Sequence, residues 1–231
     1  MALLEYRDIS KNYGTFSALQ NLNLDVNSGR IVGLLGPNGS GKTTLIKMTC
    51  GLLAPTTGTI SIDGNPVGVE SKKILSYLPE RTYLDETLTV EKTIDYFADF
   101  YSDFDRVKAN ELFSRLKIDT KSKIKTLSKG TKEKVQLSLV MSRRAKLYLL
   151  DEPIAGVDPA ARDYILDTIL SNYAENSTVI ISTHLISDIE KVLNDVIFLS
   201  YGKVILTSTT EDIMQTHGKT VDQLFREVFR C

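Results

Sequence analysis

Cysteine is scarce in this 231-residue chain: only Cys50 and Cys231 occur. One falls in a predicted helix and the other is the final residue, so no structural disulfide is expected and a reducing cytoplasm fits best. No apolar run reaches the roughly 18 residues that a membrane-crossing helix needs. The opening MALLEYRDIS meets Glu5 and Asp8 too early for the apolar core of a signal peptide. Neither sign of charge is in excess: the formal net charge is −1, unlike the strongly basic balance of a dedicated nucleic-acid binder. Low-complexity segments, internal repeats and long linkers are also missing. The sequence does have 42% apolar and 25% charged residues, the composition of a soluble globular protein. The length suits one large α/β domain, or one domain carrying an insertion.

Short apolar segments alternate with helical patterns. Strands are predicted over 4–10, 22–26, 31–35, 59–62, 74–78, 146–150, 178–182, 196–200 and 204–207. IVGLL, LYLL and VIIS show no alternation, so they read as strands buried on both faces of a parallel sheet. After residue 42, Leu45, Met48, Thr49 and Leu52 fall on one helical face. Residues 82–144 break the rhythm and read as almost wholly helical. Val90, Ile94, Phe97, Ala98 and Tyr101 make one stripe there, and Ala109, Leu112, Phe113 and Leu116 make another. This stretch is expected to be a helical insertion between two strands. A last helix should bury Val221, Leu224, Phe225 and Val228, and is too short to be a regulatory domain.

Four motifs carry chemistry. Residues 36–43 read GPNGSGKT and match G-x-x-x-x-G-K-[ST] at Gly36, Gly41, Lys42 and Thr43, between a predicted strand and a predicted helix. Inward-turned backbone N–H groups of such a loop form a nest for phosphate oxygens, and the helix start adds its positive end. Lys42 supplies a full charge to the β- and γ-phosphates, and Thr43 a hydroxyl to Mg²⁺. Second, LYLLDEP ends a strand in Asp151 and Glu152: one carboxylate suited to Mg²⁺ through its water shell, the next to accepting a proton from water. Third, TLSKGTKEK sets Ser128 and Gly130 at the start of an amphipathic helix, as an anion site or as a plain N-cap serine. Fourth, IISTH places His184 just after a buried strand, where a core histidine bonded to a carbonyl is the alternative.

In order, GPNGSGKT, LSKGT, LLDEP, GVD and STH resemble the nucleotide-binding ATPase subunit of ATP-binding cassette (ABC) transporters, over nearly the whole chain. The resemblance implies an α/β fold with a phosphate-loop mixed or parallel sheet core, an N-terminal antiparallel β subdomain and an inserted helical subdomain. It implies one ABC ATPase domain over 1–231 with the insertion at 82–144, and ATP and Mg²⁺ as ligands. Tyr13, in KNYG, matches the aromatic that stacks on adenine. Gly36, Pro37, Asn38, Gly39, Ser40, Gly41, Lys42, Thr43 and Thr44 match the phosphate loop. Ser128 and Gly130 match the signature that reaches γ-phosphate across a dimer, and Asp158 the loop that crosses the dimer interface. Thr43, Glu80 and Asp151 are the implied metal partners; Glu152, His184 and Lys42 are the implied catalytic set, with His184 sensing γ-phosphate. The implied partners are a transmembrane permease and a second ATPase subunit, identical or not, with no nucleic acid. The implied location is the cytoplasm, peripheral on the inner face of the cell membrane.

The sequence departs from the family pattern at Lys129, where glycine is usual, at Thr131, where glutamine is usual, and at Glu80, where glutamine is commoner. Lys129 joins Lys125, Lys132 and Lys134 in a basic patch that is either a solvated face or an aid to phosphate binding. LSKGT and YLPE together resemble the exporter branch whose permease is a separate polypeptide, docking near Glu80 and residues 83–100. A soluble ABC ATPase of ribosomes or DNA is the alternative; it usually carries two cassettes with a charged linker, or long coiled coils, and neither pattern is found. A GTPase switch wants [NT]-K-x-D, and the nearest stretch, Leu116-Lys-Ile-Asp, lacks the first residue.

Overall fold

The computed structural model describes residues 2–155, 157 and 159–229. Asp158, singled out above, lies outside the described residues. The chain opens with two long antiparallel strands, β1 (Ala2–Tyr13) and β2 (Phe16–Asn27), joined by a two-residue turn at Gly14-Thr15. With β4 (Thr57–Ile62) and the short β5 (Asn65–Pro66) they form a four-stranded sheet in the order β2-β1-β4-β5. Alternation explains β1 and β2: Leu4, Tyr6, Leu22, Leu24 and Val26 point inward while every second residue near them is more exposed.

The second sheet has six strands in the order β10-β9-β3-β8-β7-β6. They are β3 (Ile31–Leu35), β6 (Leu75–Leu78), β7 (Leu147–Asp151), β8 (Thr178–Thr183), β9 (Asp195–Ser200) and β10 (Lys203–Thr209). The first five run parallel, and β10 pairs antiparallel at the edge. The unalternating runs are buried on both faces, as their composition predicts. Along β7, Leu147 and Leu149 join the core that faces the first sheet, while Tyr148 and Leu150 join the core on the far side. Each predicted strand has an observed counterpart: β3 keeps its predicted bounds, β6 is one residue shorter, β7 is shifted by one residue and the others are longer, β2 most of all at its start; β5 is an addition, too short to carry a periodic signal.

The helix α1 (Lys42–Thr49) lies between the sheets, with Leu45, Met48 and Thr49 buried. Leu52 departs from expectation: it is 58% exposed. The helix has ended by then, with Gly51 at φ 68°, so the 3.6-residue period no longer places Leu52. After α2 (Val69–Lys73) and β6 come α3 (Val90–Phe100), α4 (Arg106–Arg115), a 3₁₀ turn (Ile124–Thr126) and α5 (Lys129–Met141), all before β7. These helices share a small core of Val90, Ile94, Phe97, Ala109, Phe113 and Ile124. α5 belongs to two cores at once. Val135 and Leu139 pack into that helical cluster, while Leu137, Val140 and Met141 pack against the sheet. At its far end the buried Arg143 binds Asp103 at 3.0 Å and the Leu75 carbonyl at 2.5 Å, with Tyr101's ring 3.9 Å from its guanidinium.

The remaining helices, α6 (Pro159–Asn172), α7 (Ile186–Ile189), α8 (Thr210–His217) and α9 (Val221–Phe229), follow β7, β8 and β10. In α9, Val221, Leu224 and Phe225 are buried as expected, but Val228 is 43% exposed. Phe229 packs there instead, its ring 4.2 Å from Phe225 and 6.0 Å from Phe198. Among the described residues no helix is long and apolar enough to cross a membrane.

Candidate nucleotide site

The loop between β3 and α1 forms one wall of a cleft of about 410 Å³. Its lining includes Tyr13, Asn38, Gly39, Ser40, Gly41, Lys42, Thr43, Thr44, Glu80, Glu152 and His184. Gly36 and Pro37, the first residues of the loop, are not among the lining residues. A Cβ on Gly36 would stand 2.3 Å from the Leu199 carbonyl oxygen and 2.7 Å from Ser40 Oγ, so only glycine fits there. Gly41, in the left-handed region at φ 111°, caps α1. The sequence thus supplies a backbone path that a bulkier residue would close.

Lys42 is buried, 5% exposed. Its ammonium donates to the carbonyls of Gly36 at 2.8 Å and Pro37 at 3.3 Å, and stands 3.5 Å from Glu152 Oε1. Burial holds its pKa below the ordinary lysine value, and the Glu152, Asp151 and Glu80 carboxylates oppose that fall. The cation thus rests on the loop's own carbonyls.

Asp151 and Glu152 come from the tip of β7, and one serine holds both. In the β7–β8 register Asp151 lies opposite Ser182. Ser182 Oγ donates to Asp151 Oδ1 at 2.7 Å and accepts from the Glu152 N–H at 3.0 Å. Thr43 Oγ1 also donates to Asp151 Oδ1, at 3.2 Å. The other oxygen, Asp151 Oδ2, is buried and has no hydrogen-bond partner among the described residues. Glu152 leaves the strand at φ 50°, a left-handed conformation that costs a non-glycine residue about 1–3 kcal/mol and clusters at functional sites. That bend aims its carboxylate at both Lys42 and His184, whose Nδ1 lies 3.1 Å from Glu152 Oε2 and 3.2 Å from Oε1.

Burial pushes the Asp151 carboxyl above its ordinary range; Ser182 and Thr43 pull it down, and Glu152 and Glu80 push it further up. A carboxyl raised on folding stabilises the fold below its unfolded pKa and loses that contribution as pH rises through its folded pKa. At neutral pH the Asp151 charge therefore costs stability in the nucleotide-free chain. Asp151→Asn is expected to raise the melting temperature of that chain, by about 2–4 °C per kcal/mol recovered. A thermal melt at pH 7 without nucleotide checks this; a lower melting temperature contradicts it.

Tyr13 and Phe16 flank the hairpin turn at the cleft mouth, 46% and 62% exposed. Lys11 Nζ lies 5.2 Å from the Tyr13 ring centroid. Aromatic faces serve every base, since stacking is worth about 1–3 kcal/mol whichever base it is. The sequence carries no motif devoted to reading a base edge. GTP should therefore support turnover within about tenfold of ATP, a gap of about 1.4 kcal/mol; a coupled phosphate-release assay that found activity with ATP alone would refute this.

Ser128 and Gly130 are not among the residues lining this cleft. Both are exposed at the start of α5. Ser128 is the N-cap: its Oγ accepts from the Thr131 N–H at 3.2 Å and lies 2.8 Å from Thr131 Oγ1. Gly130 has nothing within 4 Å of where a Cβ would be. The basic patch is partly paired, Lys132 with Glu86 at 2.5 Å and Lys129 with Glu133 at 3.8 Å. Sequence reasoning passed over Phe16, Ala18 and Ser182. Ser182 had one signal, a hydroxyl at the end of the otherwise apolar run VIIS.

The sequence profile of the family described as "ABC transporter" matches residues 19–155. The chain belongs to the ABC transporter ATP-binding family. It is 34% identical over 231 residues to "ABC transporter ATP-binding protein YtrB" of Bacillus subtilis, covering 99% of this chain and 75% of that protein. It is 27% identical over 223 residues to "Nod factor export ATP-binding protein I" of Cupriavidus metallidurans, covering 93% and 74%. The solved "Structure of ATP binding subunit of ABC transporter" superposes with a TM-score of 0.88 at 31% identity, over 98% of this chain and 99% of that one. As an ABC ATP-binding subunit, the chain binds nucleotide and is an ATPase that serves a transporter with a transmembrane partner. The fold expected from the sequence, an antiparallel β subdomain beside a mostly parallel sheet, is the fold of this family.

Proposed function

We propose that this chain hydrolyses ATP as one half of a dimer and drives a separate permease polypeptide in export. The observation that carries this is the division of polar groups. Lys42, Thr43, Glu152 and His184 line one cleft, with the buried Asp151 bonded to Thr43, while Ser128 and Gly130 stand exposed and outside that lining. A second copy facing head to tail brings its Ser128 and Gly130 over the triphosphate held by the first, each copy completing the other's site. The partner ATPase is this chain or a related one. In this reading 1–231 is a single ATPase domain, and residues 82–144 are the arm that carries the signature.

The cleft residues are assigned as the sequence suggests. Tyr13 stacks on the base, residues 36–44 cradle the phosphates, Lys42 neutralises them, Glu152 takes a proton from water, and His184 senses the terminal phosphate. Mg²⁺ fits the residues present. Asp151 Oδ2 is a buried acceptor with no partner among the described residues, the Thr43 hydroxyl bonds the other oxygen of the same carboxylate, and hard oxygen donors suit this ion. Among the described residues no group of three or more His, Cys, Asp or Glu could hold a metal alone, so nucleotide and water oxygens must complete the shell. When bound, the ion offsets phosphate charge. Glu80 is exposed at the cleft edge and supplies a further carboxylate.

The permease meets the outer face of α3. Tyr96 and Phe100 there are 59% and 66% exposed and stack with centroids 6.1 Å apart; Tyr83 is also exposed. Relatives named for Nod factor export support the export direction. The chain then sits in the cytoplasm, peripheral on the inner face of the cell membrane. Dimer-dependent chemistry has a direct signature. Below the dimer dissociation constant, ATP turnover per chain should climb in proportion to protein concentration. Turnover per chain that is independent of concentration, in a chain that remains monomeric with ATP, overturns the reading.

A further inference from the structure

The second half of α5 reads VQLSLVM, and Gln136 is the only amide side chain in that helix. It is 3% exposed. Burying an unpaired polar group costs about 1–3 kcal/mol, so an apolar residue would fill this position at less cost unless the amide is used. Both ends are used. Gln136 Oε1 accepts from the Tyr83 N–H at 3.3 Å, and Nε2 donates to the Pro79 carbonyl at 3.3 Å. These two backbone groups bracket Glu80, Arg81 and Thr82, a stretch with neither helix nor strand. Among the described residues, residues 79–83 make no further backbone hydrogen bond outside regular structure.

One side chain thus ties the loop that carries Glu80 to the helix whose N-cap is Ser128. α5 is itself shared between the helical core and the sheet core. Gln136 lines a small cavity of about 30 Å³ together with Glu80 and Glu152, which also line the nucleotide cleft. Gln136 is not among the residues lining that cleft.

We infer that Gln136 is a positioning residue that makes α5 and the Glu80 loop move as one body, so that displacement of the Ser128 end is passed to Glu80. This rests on the reading above, in which Ser128 meets a partner's nucleotide. Because the amide does not reach the cleft, nucleotide binding and turnover separate when the tie is cut.

Gln136→Met keeps the length and most of the volume but removes both hydrogen bonds. Its ATP affinity, measured by titration calorimetry, should stay within about twofold of the parent. Its kcat should fall about tenfold, as a loosely placed reacting group implies. In the nucleotide-free chain, amide exchange at Tyr83 should quicken about 2–10-fold, the effect of losing one ordinary hydrogen bond. Gln136→Glu keeps an acceptor for Tyr83 but no donor for Pro79, so it should restore Tyr83 protection while kcat stays low. Unchanged exchange at Tyr83 in Gln136→Met removes the tie. An unchanged kcat removes the coupling, and a loss of ATP affinity that matches the loss of kcat reduces Gln136 to a structural role. The exchange measurement needs neither nucleotide nor dimer, so failure of the tie and failure of the dimer reading give different results.

Discussion

Glu152→Gln should lose turnover by about 10²–10⁴-fold, the contribution of a well-placed general base, while retaining ATP. Glutamine matches the size of glutamate but cannot accept the proton of an attacking water. The lost rate corresponds to about 3–5 kcal/mol of barrier at about 1.4 kcal/mol per decade. Glu152 suits the role in three ways. Its side chain is 9% exposed, it is held 3.5 Å from Lys42 and 3.1 Å from His184, and its backbone is bent to place it there. Removing its charge also removes repulsion with bound phosphates, so the variant should hold ATP as tightly or more so. In the proposed cycle ATP joins two half-sites and hydrolysis frees them, so the variant should persist as a dimer. Size-exclusion chromatography with Mg-ATP reads this directly. A variant that is fully occupied yet monomeric defeats the prediction.

Lys42→Ala should fail earlier in the cycle, at binding. A hydrogen bond to a charged group is worth about 1.5–3 kcal/mol, so ATP affinity should fall about 10–100-fold. The buried ammonium now rests on the Gly36 and Pro37 carbonyls and is surrounded by carboxylates, with no other lysine or arginine among the cleft-lining residues. No neighbour can take over its charge. Titration calorimetry of the two variants therefore gives opposite results: Glu152→Gln binds without turning over, and Lys42→Ala hardly binds. Equal ATP affinity for Lys42→Ala and the parent would contradict the assignment.

Much of the frame was legible because local signals were strong. The doubly buried strands announce themselves as unbroken apolar runs, and the phosphate loop carries fixed residues between a strand and a helix. What stayed hidden depends on contacts across the chain. Ser182 meets Asp151 only through the β7–β8 register, and register is not printed in either strand. Phe16 reaches the cleft mouth because the Gly14-Thr15 turn folds it back beside Tyr13. Leu52 fitted the helical period, but α1 stops three residues earlier. Gln136 sat in an apolar run with no hint that two carbons of reach would bring it to Pro79 and Tyr83. The sequence allows Ser128 to be an anion site or a cap; within one chain it caps α5 and stands outside the cleft lining.

The most direct measurement mixes two variants that are each inactive alone, Lys42→Ala and Ser128→Arg. In a mixed dimer one composite site has both defects, and the other pairs the intact Lys42 of one copy with the intact Ser128 of its partner. If sites are shared between copies, an equal mixture should recover about a quarter of the parent ATPase activity, half the dimers being mixed and each having one sound site. A mixture no more active than either variant alone would show that each chain builds its site unaided, and would contradict the account.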